Sequence, residues 1–340
     1  MNCDCQYSPG CRGFAGSLTL ALALLASASA AFAAEPTEAG PSPIGAAHVI
    51  LVGFDGMGSK YMDWDKVPVL KRLRDEGAWT ENCMSVLPSD SIPNWSSNFM
   101  GASPNVHGYR ENLNINGSLL IEPESPAPDC LSDKGKFPCM YRQLKRYRPD
   151  ARTMFVGGWI GITNYIETSD VDDLFETSNN EEAFNFFMEG LKENPTLACI
   201  VFGEPDETGH VHGWGSPEYQ EVSYQMDCYL GKIIEYLQSN DRFKDTVLIT
   251  MADHGGVNFS KKVHYHGDRV YEDILTPRIF YGCGVKPGQI EDLVMGFDLA
   301  PTVAWVLGIP QSSFWRGKPN VAAFGFDPEQ TYQLQPPADK

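Results

Sequence analysis

Three apolar runs in this sequence end in residues of the kind that bind metal ions. Asp55 follows Ala47–Phe54 within Gly53-Phe54-Asp55-Gly56, and Asp206 follows Leu197–Phe202 within Glu204-Pro205-Asp206-Glu207-Thr208-Gly209-His210. Asp253 and His254 follow Thr246–Met251, ahead of Gly255-Gly256. An aspartate flanked by glycine at the end of an apolar run packs poorly, because a buried carboxylate needs a metal ion, a cation or hydrogen bonds. Asp206 and His210, spaced i and i+4, can face the same way on a helical turn. Any one of these aspartates could be a plain turn residue. Their joint occurrence points to a metal centre. Carboxylate and imidazole donors suit zinc.

A nucleophile is also available. Leu87-Pro88-Ser89-Asp90-Ser91-Ile92-Pro93-Asn94-Trp95 leads into a helical pattern over Trp95–Met100. Ser91 would sit near a helix N-terminus, where partial positive charge favours a phosphate. In a purely structural role, Ser89 or Ser91 would be an N-cap, with Pro93 in the first turn. A bound metal ion would make a serine hydroxyl nucleophilic near neutral pH, much as it acidifies bound water.

The elements that must position these residues follow from the hydrophobic pattern. Ala47–Phe54 is nearly all apolar, as a parallel strand buried on both faces must be. Val67–Glu76 has apolar residues at helical spacing and Gly77 at its end, and Cys139–Arg148 reads as a helix stopped by Pro149. Strands are expected at Arg152–Val156, Leu197–Phe202, Thr246–Met251 and Arg278–Tyr281. Pro217–Gln238 is a long amphipathic helix, and Asp298–Leu307 a helix ended by Gly308. This alternation predicts an α/β fold of three layers, with a mostly parallel central sheet and helices on both faces, placed here at residues 45–325 as one domain. In such sheets ligands bind at the carboxyl ends of the strands, where the three runs deliver their aspartates. Gly117–Pro138, rich in Pro, Ser and Asp, reads as a surface excursion near the site, and residues 326–340 as a loose tail.

Residues 1–34 read as a signal peptide: Arg12, a small-residue apolar run from Phe14 to Ala34, and the cleavage pattern Ala31-Phe32-Ala33. The alternative is a membrane anchor, but the Ala- and Ser-rich run and the cleavage pattern argue for removal. No later stretch is long and apolar enough to span a bilayer. The chain is therefore expected to be periplasmic or secreted. The net charge of −18 is the same without this segment, because Asp4 and Arg12 cancel. So acidic a chain is a poor binder of the nucleic-acid backbone, duplexes included. A substrate such as a small-molecule phosphate ester would need its charge met by local positive charge, and metal ions are one source. Six cysteines lie beyond residue 34, with no CxxC pair to suggest a zinc knuckle. In an oxidising compartment Cys130 and Cys139 could close a short loop, whereas Cys199, in an apolar run, reads as a buried thiol. Nothing in the sequence sets an oligomeric state.

Taken in order, these motifs resemble the alkaline phosphatase superfamily, and within it the type I phosphodiesterase / nucleotide pyrophosphatase branch. The matching residues are the strand leading to Asp55, Ser91-Ile92-Pro93-Asn94, His107-Gly108 with Asn112, Pro205-Asp206 with Gly209-His210, and Asp253-His254-Gly255. They cover most of Val49–Gly308. The resemblance implies an alkaline-phosphatase-like fold and a hydrolase with two divalent metal ions, Zn2+ by donor type. It implies that Asp55, Asp253 and His254 hold one ion, which Ser91 also contacts, and that Asp206, His210 and a third histidine hold the other. Ser91 would attack phosphorus and form a covalent phosphoenzyme that water hydrolyses. Asn112 would hydrogen-bond a non-bridging phosphoryl oxygen.

The sequence departs from that branch at two points. Nucleotide pyrophosphatases usually carry Thr where Ser91 stands, and their last metal histidine lies towards the C-terminus. The segment after Gly308 contains no histidine, so the candidates are His264 and His266. His266-Gly267 resembles the arrangement in the phosphopentomutase-like branch, and His266 is taken here. His48 and His107 read as structural, the latter orienting the loop that carries Asn112. His212 reads as lying behind the ligands.

Rival functions on the same fold are a phosphomonoesterase and a sulfatase. A sulfatase needs Arg where Trp95 follows Ser91-Ile92-Pro93-Asn94. An exported chain argues against a phosphomutase of cytosolic sugar phosphates, and an intact nucleophile with a full set of ligands argues against a non-enzymatic relic. Gly157-Gly158-Trp159-Ile160-Gly161 brings an aromatic ring and no cation, which favours a phosphodiester over a monoester.

Overall fold

The computed structural model describes residues 38–112 and 136–329. The first part runs β1 (His48–Asp55), α1 (Pro68–Glu76), β2 (Ala78–Met84), α2 (Ser91–Met100) and the short α3 (Pro104–His107). Next come α4 (Met140–Tyr147), β3 (Thr153–Gly157), β4 (Asp173–Glu176), α5 (Asn180–Gly190), β5 (Leu197–Pro205), α6 (Asp206–His212), α7 (Pro217–Ser239) and β6 (Thr246–Ala252). The last part holds a small hairpin of β7 (Val257–Ser260) and β8 (Val263–Tyr265), then α8 (Tyr271–Ile274), β9 (Leu275–Gly282), β10 (Gly288–Gln289), β11 (Val294–Met295) and α9 (Leu299–Val306).

Among the described residues the main sheet has nine strands in the order β10-β2-β9-β6-β1-β5-β3-β4, with β11 added to β2. Its centre is parallel, β1 pairing with β5 and β6, and β9 runs against its neighbours β2 and β6. Alternate residues of β1 enter two separate cores. Val49 and Leu51 join Trp95, Phe99, Leu144 and Val303 on one face. Ile50, Val52 and Phe54 join Leu70, Phe187, Leu230 and Ile233 on the other. Two-sided burial is why β1 is apolar at successive positions rather than at every second one.

Helix ends are fixed locally. Ser216 Oγ accepts from Tyr219 N at 3.1 Å with Pro217 in the first turn of α7, a standard capping arrangement. Asn179 Oδ1 caps α5 through Glu181 N and Glu182 N. No helix of the described residues is long and apolar enough to cross a membrane.

Residues 1–34, the expected signal peptide, lie outside the described residues, as does most of the excursion expected at Gly117–Pro138. Its end is described: Phe137 is buried, its ring 6.4 Å from that of His107. Cys130 is also outside the described residues, while Cys139 stands as a free, buried thiol, and so does Cys199. Of the expected tail, Phe326 packs edge-on to Trp305 with ring centres 5.2 Å apart.

Candidate active site

The carboxyl ends of β6, β1 and β5 are neighbours, and each carries its acidic residue to the same edge of the sheet. Asp55 is the last residue of β1, at an irregularity where the β1–β5 register shifts. Asp206 opens α6, so His210 falls one turn later on the same side, its Nε2 3.3 Å from Asp206 Oδ2. Asp253 and His254 follow β6 directly. Gly56 adopts φ +71°, and a Cβ there would lie 2.7 Å from the Asp206 backbone and carboxylate. Only glycine allows the β1 and β5 ends to approach so closely.

Two groups of metal-binding type result: Asp55, Asp253 and His254 in one, Asp206, His210 and His266 in the other, with donor atoms within 4.8 Å of one another in each. Three of their carboxylate oxygens, Asp55 Oδ1, Asp206 Oδ1 and Asp253 Oδ2, are buried without a hydrogen-bond partner. An orphaned carboxylate oxygen inside a protein is costly unless a cation faces it, so these residues fit metal ions. Their partner atoms are tied down. Asp55 Oδ2 accepts from the indole N–H groups of Trp95 and Trp159, each at 2.9 Å, and Asp253 Oδ1 accepts from Gly56 N at 3.1 Å. The histidines are oriented in the same manner. His254 Nδ1 faces Gly255 O at 2.8 Å, His210 Nδ1 faces His264 O at 3.3 Å, and His266 Nδ1 faces Asp90 Oδ1 at 3.0 Å. In each ring Nε2 is left as the ligand atom.

The electrostatics follow from this crowding of acids. Burial, with the Asp253 and Asp206 carboxylates, pushes Asp55 well above the usual carboxylate range, and burial does the same to Asp253. Burial would also raise Asp206, but its hydrogen bond with His210 and the nearby His254 and His266 hold it low. His254 and His266 stack with ring centres 3.9 Å apart, and two imidazoles so close cannot both be cations. Burial and His266 take His254 down to about 3. Against burial, the Asp90 hydrogen bond and the Asp206 and Asp55 carboxylates carry His266 up to about 9.

Ser91 is the first residue of α2, its Oγ 3.1 Å from His254 Nε2. Asn112 Oδ1 accepts from Ile92 N at 3.0 Å, so its amide nitrogen is the end able to donate. Beside them lies a cavity of 280 Å³ whose walls include Asp55, Ser91, Asn112, Trp159, Ile160 and Glu207, and among the described residues no lysine or arginine lines it.

Each candidate ligand, with Ser91 and Asn112, is thus at this edge, and His266 rather than His264 joins Asp206 and His210. His264 Nδ1 instead faces Asn258 Oδ1 at 2.9 Å. His107 bonds Ser97 Oγ at 2.9 Å and accepts from Tyr109 N. His48 faces Pro195 O. His212 does not lie behind the ligands: it is exposed at the far end of α6, 3.9 Å from Glu218, because a step of two residues beyond His210 carries a side chain more than half a turn around the helix. Reading the sequence missed Asp90, Trp95 and Trp159 as partners of the ligands. Asp90 directly precedes the nucleophile candidate, the one local signal available. The two indoles reach Asp55 from α2 and from the segment after β3, and no local pattern announces that.

The sequence matches the family described as type I phosphodiesterase / nucleotide pyrophosphatase over residues 49–116 and 127–278. It is 25% identical over 264 residues to ectonucleotide pyrophosphatase/phosphodiesterase family member 1 of Rattus norvegicus, covering 73% of this chain and 28% of that protein. It is 26% identical over 220 residues to a bis(5'-adenosyl)-triphosphatase of Pongo abelii, covering 61% of this chain and 47% of the relative. The chain therefore spans less than half the length of these curated relatives. Among solved structures, murine ectonucleotide pyrophosphatase/phosphodiesterase 5 in complex with AMP shares the fold with a TM-score of 0.59 at 16% identity, covering 79% of this chain and 98% of that one. The lipoteichoic acid synthase LtaP from Listeria monocytogenes does so at 0.60 and 18%, covering 85% and 79%.

Proposed function

The chain belongs to the type I phosphodiesterase / nucleotide pyrophosphatase family, and from that premise we propose that it is a two-metal hydrolase of phosphate esters, diesters preferred, acting through a phosphoserine on Ser91. The observation that carries this reading is the Ser91 hydroxyl, 3.1 Å from a buried histidine whose neighbouring carboxylates keep unpaired oxygens. Residues 45–325 form the hydrolase domain in this proposal.

When bound, two divalent ions, zinc by donor type, one held by Asp55, Asp253, His254 and Ser91 and the other by Asp206, His210 and His266, supply Lewis acidity and offset phosphate charge. Ser91 Oγ forms a bond to phosphorus as the bond to the leaving alcohol breaks, and water then cleaves the phosphoserine. Ser91 lies at the N-terminus of α2, whose partial positive charge favours a phosphoryl group there. Asn112, anchored through Oδ1, directs its amide N–H groups at a non-bridging oxygen. Trp159 and Ile160 offer an apolar wall to the leaving group.

The absence of a cavity lysine or arginine among the described residues supports diesters, because a monoester brings an extra charge. Trp95 supports an ester of phosphate over one of sulfate: its indole is committed to Asp55 where a sulfatase needs arginine. The test is to measure hydrolysis of p-nitrophenyl phosphate, bis-p-nitrophenyl phosphate and p-nitrophenyl sulfate side by side. Fastest turnover of the diester is expected; fastest turnover of the sulfate would overturn the assignment.

A further inference from the structure

Asp90 stands at the N-cap of α2, where an aspartate ordinarily turns its carboxylate back to the first free N–H groups of the helix. Here it makes no such bond. Its Oδ1 is instead 3.0 Å from His266 Nδ1, across 176 residues of sequence. The chain gives up a helix cap for this contact. The opposite partner is shaped to receive it. Gly267 has φ +100°, and a Cβ there would come within 2.8 Å of Asp90 Oδ1, so the close approach depends on glycine in both conformation and space. The His266 ring is then bracketed, stacked on His254 at 3.9 Å and facing His210 at 4.9 Å.

Resting on the two-metal reading, we propose that Asp90 is a positioning residue: its carboxylate accepts the Nδ1–H of His266, fixes that ring's tautomer and orientation, and so builds the second metal site with Asp206 and His210. A carboxylate behind a metal-binding histidine raises the ring's basicity and sets its aim, and its loss commonly weakens metal binding 10–100-fold. Because Asp90 is bonded directly to Ser91, the first turn of α2 holds the nucleophile on one residue and the second site on the one before. A displacement of that turn would disturb both together.

The test is zinc binding by the whole chain, stripped with a chelator and titrated against a chromogenic zinc indicator. Serine can take up the cap bond that Asp90 leaves unmade but is too short to reach His266, whereas the amide oxygen of asparagine can still accept the Nδ1–H. Asp90→Ser is expected to bind one ion as the wild type does and the second roughly 10–100-fold more weakly, with an unchanged apo melting temperature. Asp90→Asn should recover most of that loss. An Asp90→Ser protein that binds both ions with wild-type affinity overturns the proposal, and so does an Asp90→Asn protein no better than Asp90→Ala should the serine variant fail to fold. A wild-type chain that takes up no second ion overturns the two-metal reading itself, and this inference with it.

Discussion

The indole N–H of Trp159 donates to Asp55 Oδ2 at 2.9 Å, so a wall of the cavity beside Ser91 and a carboxylate of the first candidate metal group are one hydrogen-bonded unit. Trp95 donates to the same oxygen, which leaves Oδ1 to face His254 Nε2 at 3.5 Å. Trp159→Phe keeps a ring in the wall and removes one donor. Zinc affinity at one site is expected to fall by up to about tenfold, read by indicator competition, with little change in melting temperature. Unchanged affinity would mean that Trp159 only lines the cavity.

Ser91→Ala should lower turnover of a p-nitrophenyl diester by at least about 10³, since water must replace a positioned nucleophile. Melting temperature should hardly move, because the N-cap of α2 is Asp90 and not Ser91. Ser91→Thr should keep substantial activity, as the family resemblance places threonine there. An alanine variant that melts early yet turns over normally would make Ser91 a structural residue.

Asn112→Ala should cost on the order of 10²–10³ in rate with KM little changed, the signature of a donor used mainly in the transition state. The same substitution removes one hydrogen bond, from Ile92 N to Asn112 Oδ1, and such a bond is worth about 1 kcal/mol. A melting shift larger than that would recast Asn112 as a structural anchor.

Chelation should abolish activity and lower the melting temperature, and elemental analysis of the untreated protein should give about two metal ions per chain. Zinc at a thousandfold excess over its dissociation constant should stabilise the fold by about 4 kcal/mol per site. The unpaired oxygens of Asp55, Asp206 and Asp253 are the physical reason. Full activity in a metal-free protein would sink the mechanism.

Away from the site, Asp227 accepts from Val69 N and Leu70 N at the start of α1, each at 2.8 Å. Burial outweighs these bonds and raises its pKa to about 6. Its folded pKa thus exceeds the usual value of about 3.9, so its contribution to stability is present below that value and lost as pH rises through about 6. Compared with Asp227→Asn in chelator, the wild type should gain stability as pH falls from about 6 to about 4. Parallel melting curves for the two proteins across that range would refute the assignment.

Much of this protein was legible in its sequence. Long apolar runs that lead into aspartate read as buried strands with candidate ligands at their ends, because hydrophobic periodicity and the cost of an unpaired carboxylate are local facts. So β1, β5 and β6, the helix α7 and the spacing of Asp206 and His210 could be read directly. β2 and β4 could not: they lie towards the sheet margins and are only partly buried, so no continuous apolar run marks them. Nor did the pattern announce α5 or the β7–β8 hairpin. The choice between His264 and His266 also belonged to the tertiary structure. Two residues apart in β8 and the loop after it, they differ in which partner the fold brings to them, Asn258 for one and Asp90 for the other. The same holds for the tryptophans on Asp55. Sequence determines which side chains can bind a metal ion, since that is a property of each residue. Which of their atoms remain free to do so depends on hydrogen bonds between segments a hundred residues and more apart, such as Trp159 with Asp55 and Asp90 with His266, and those exist only once the sheet has assembled.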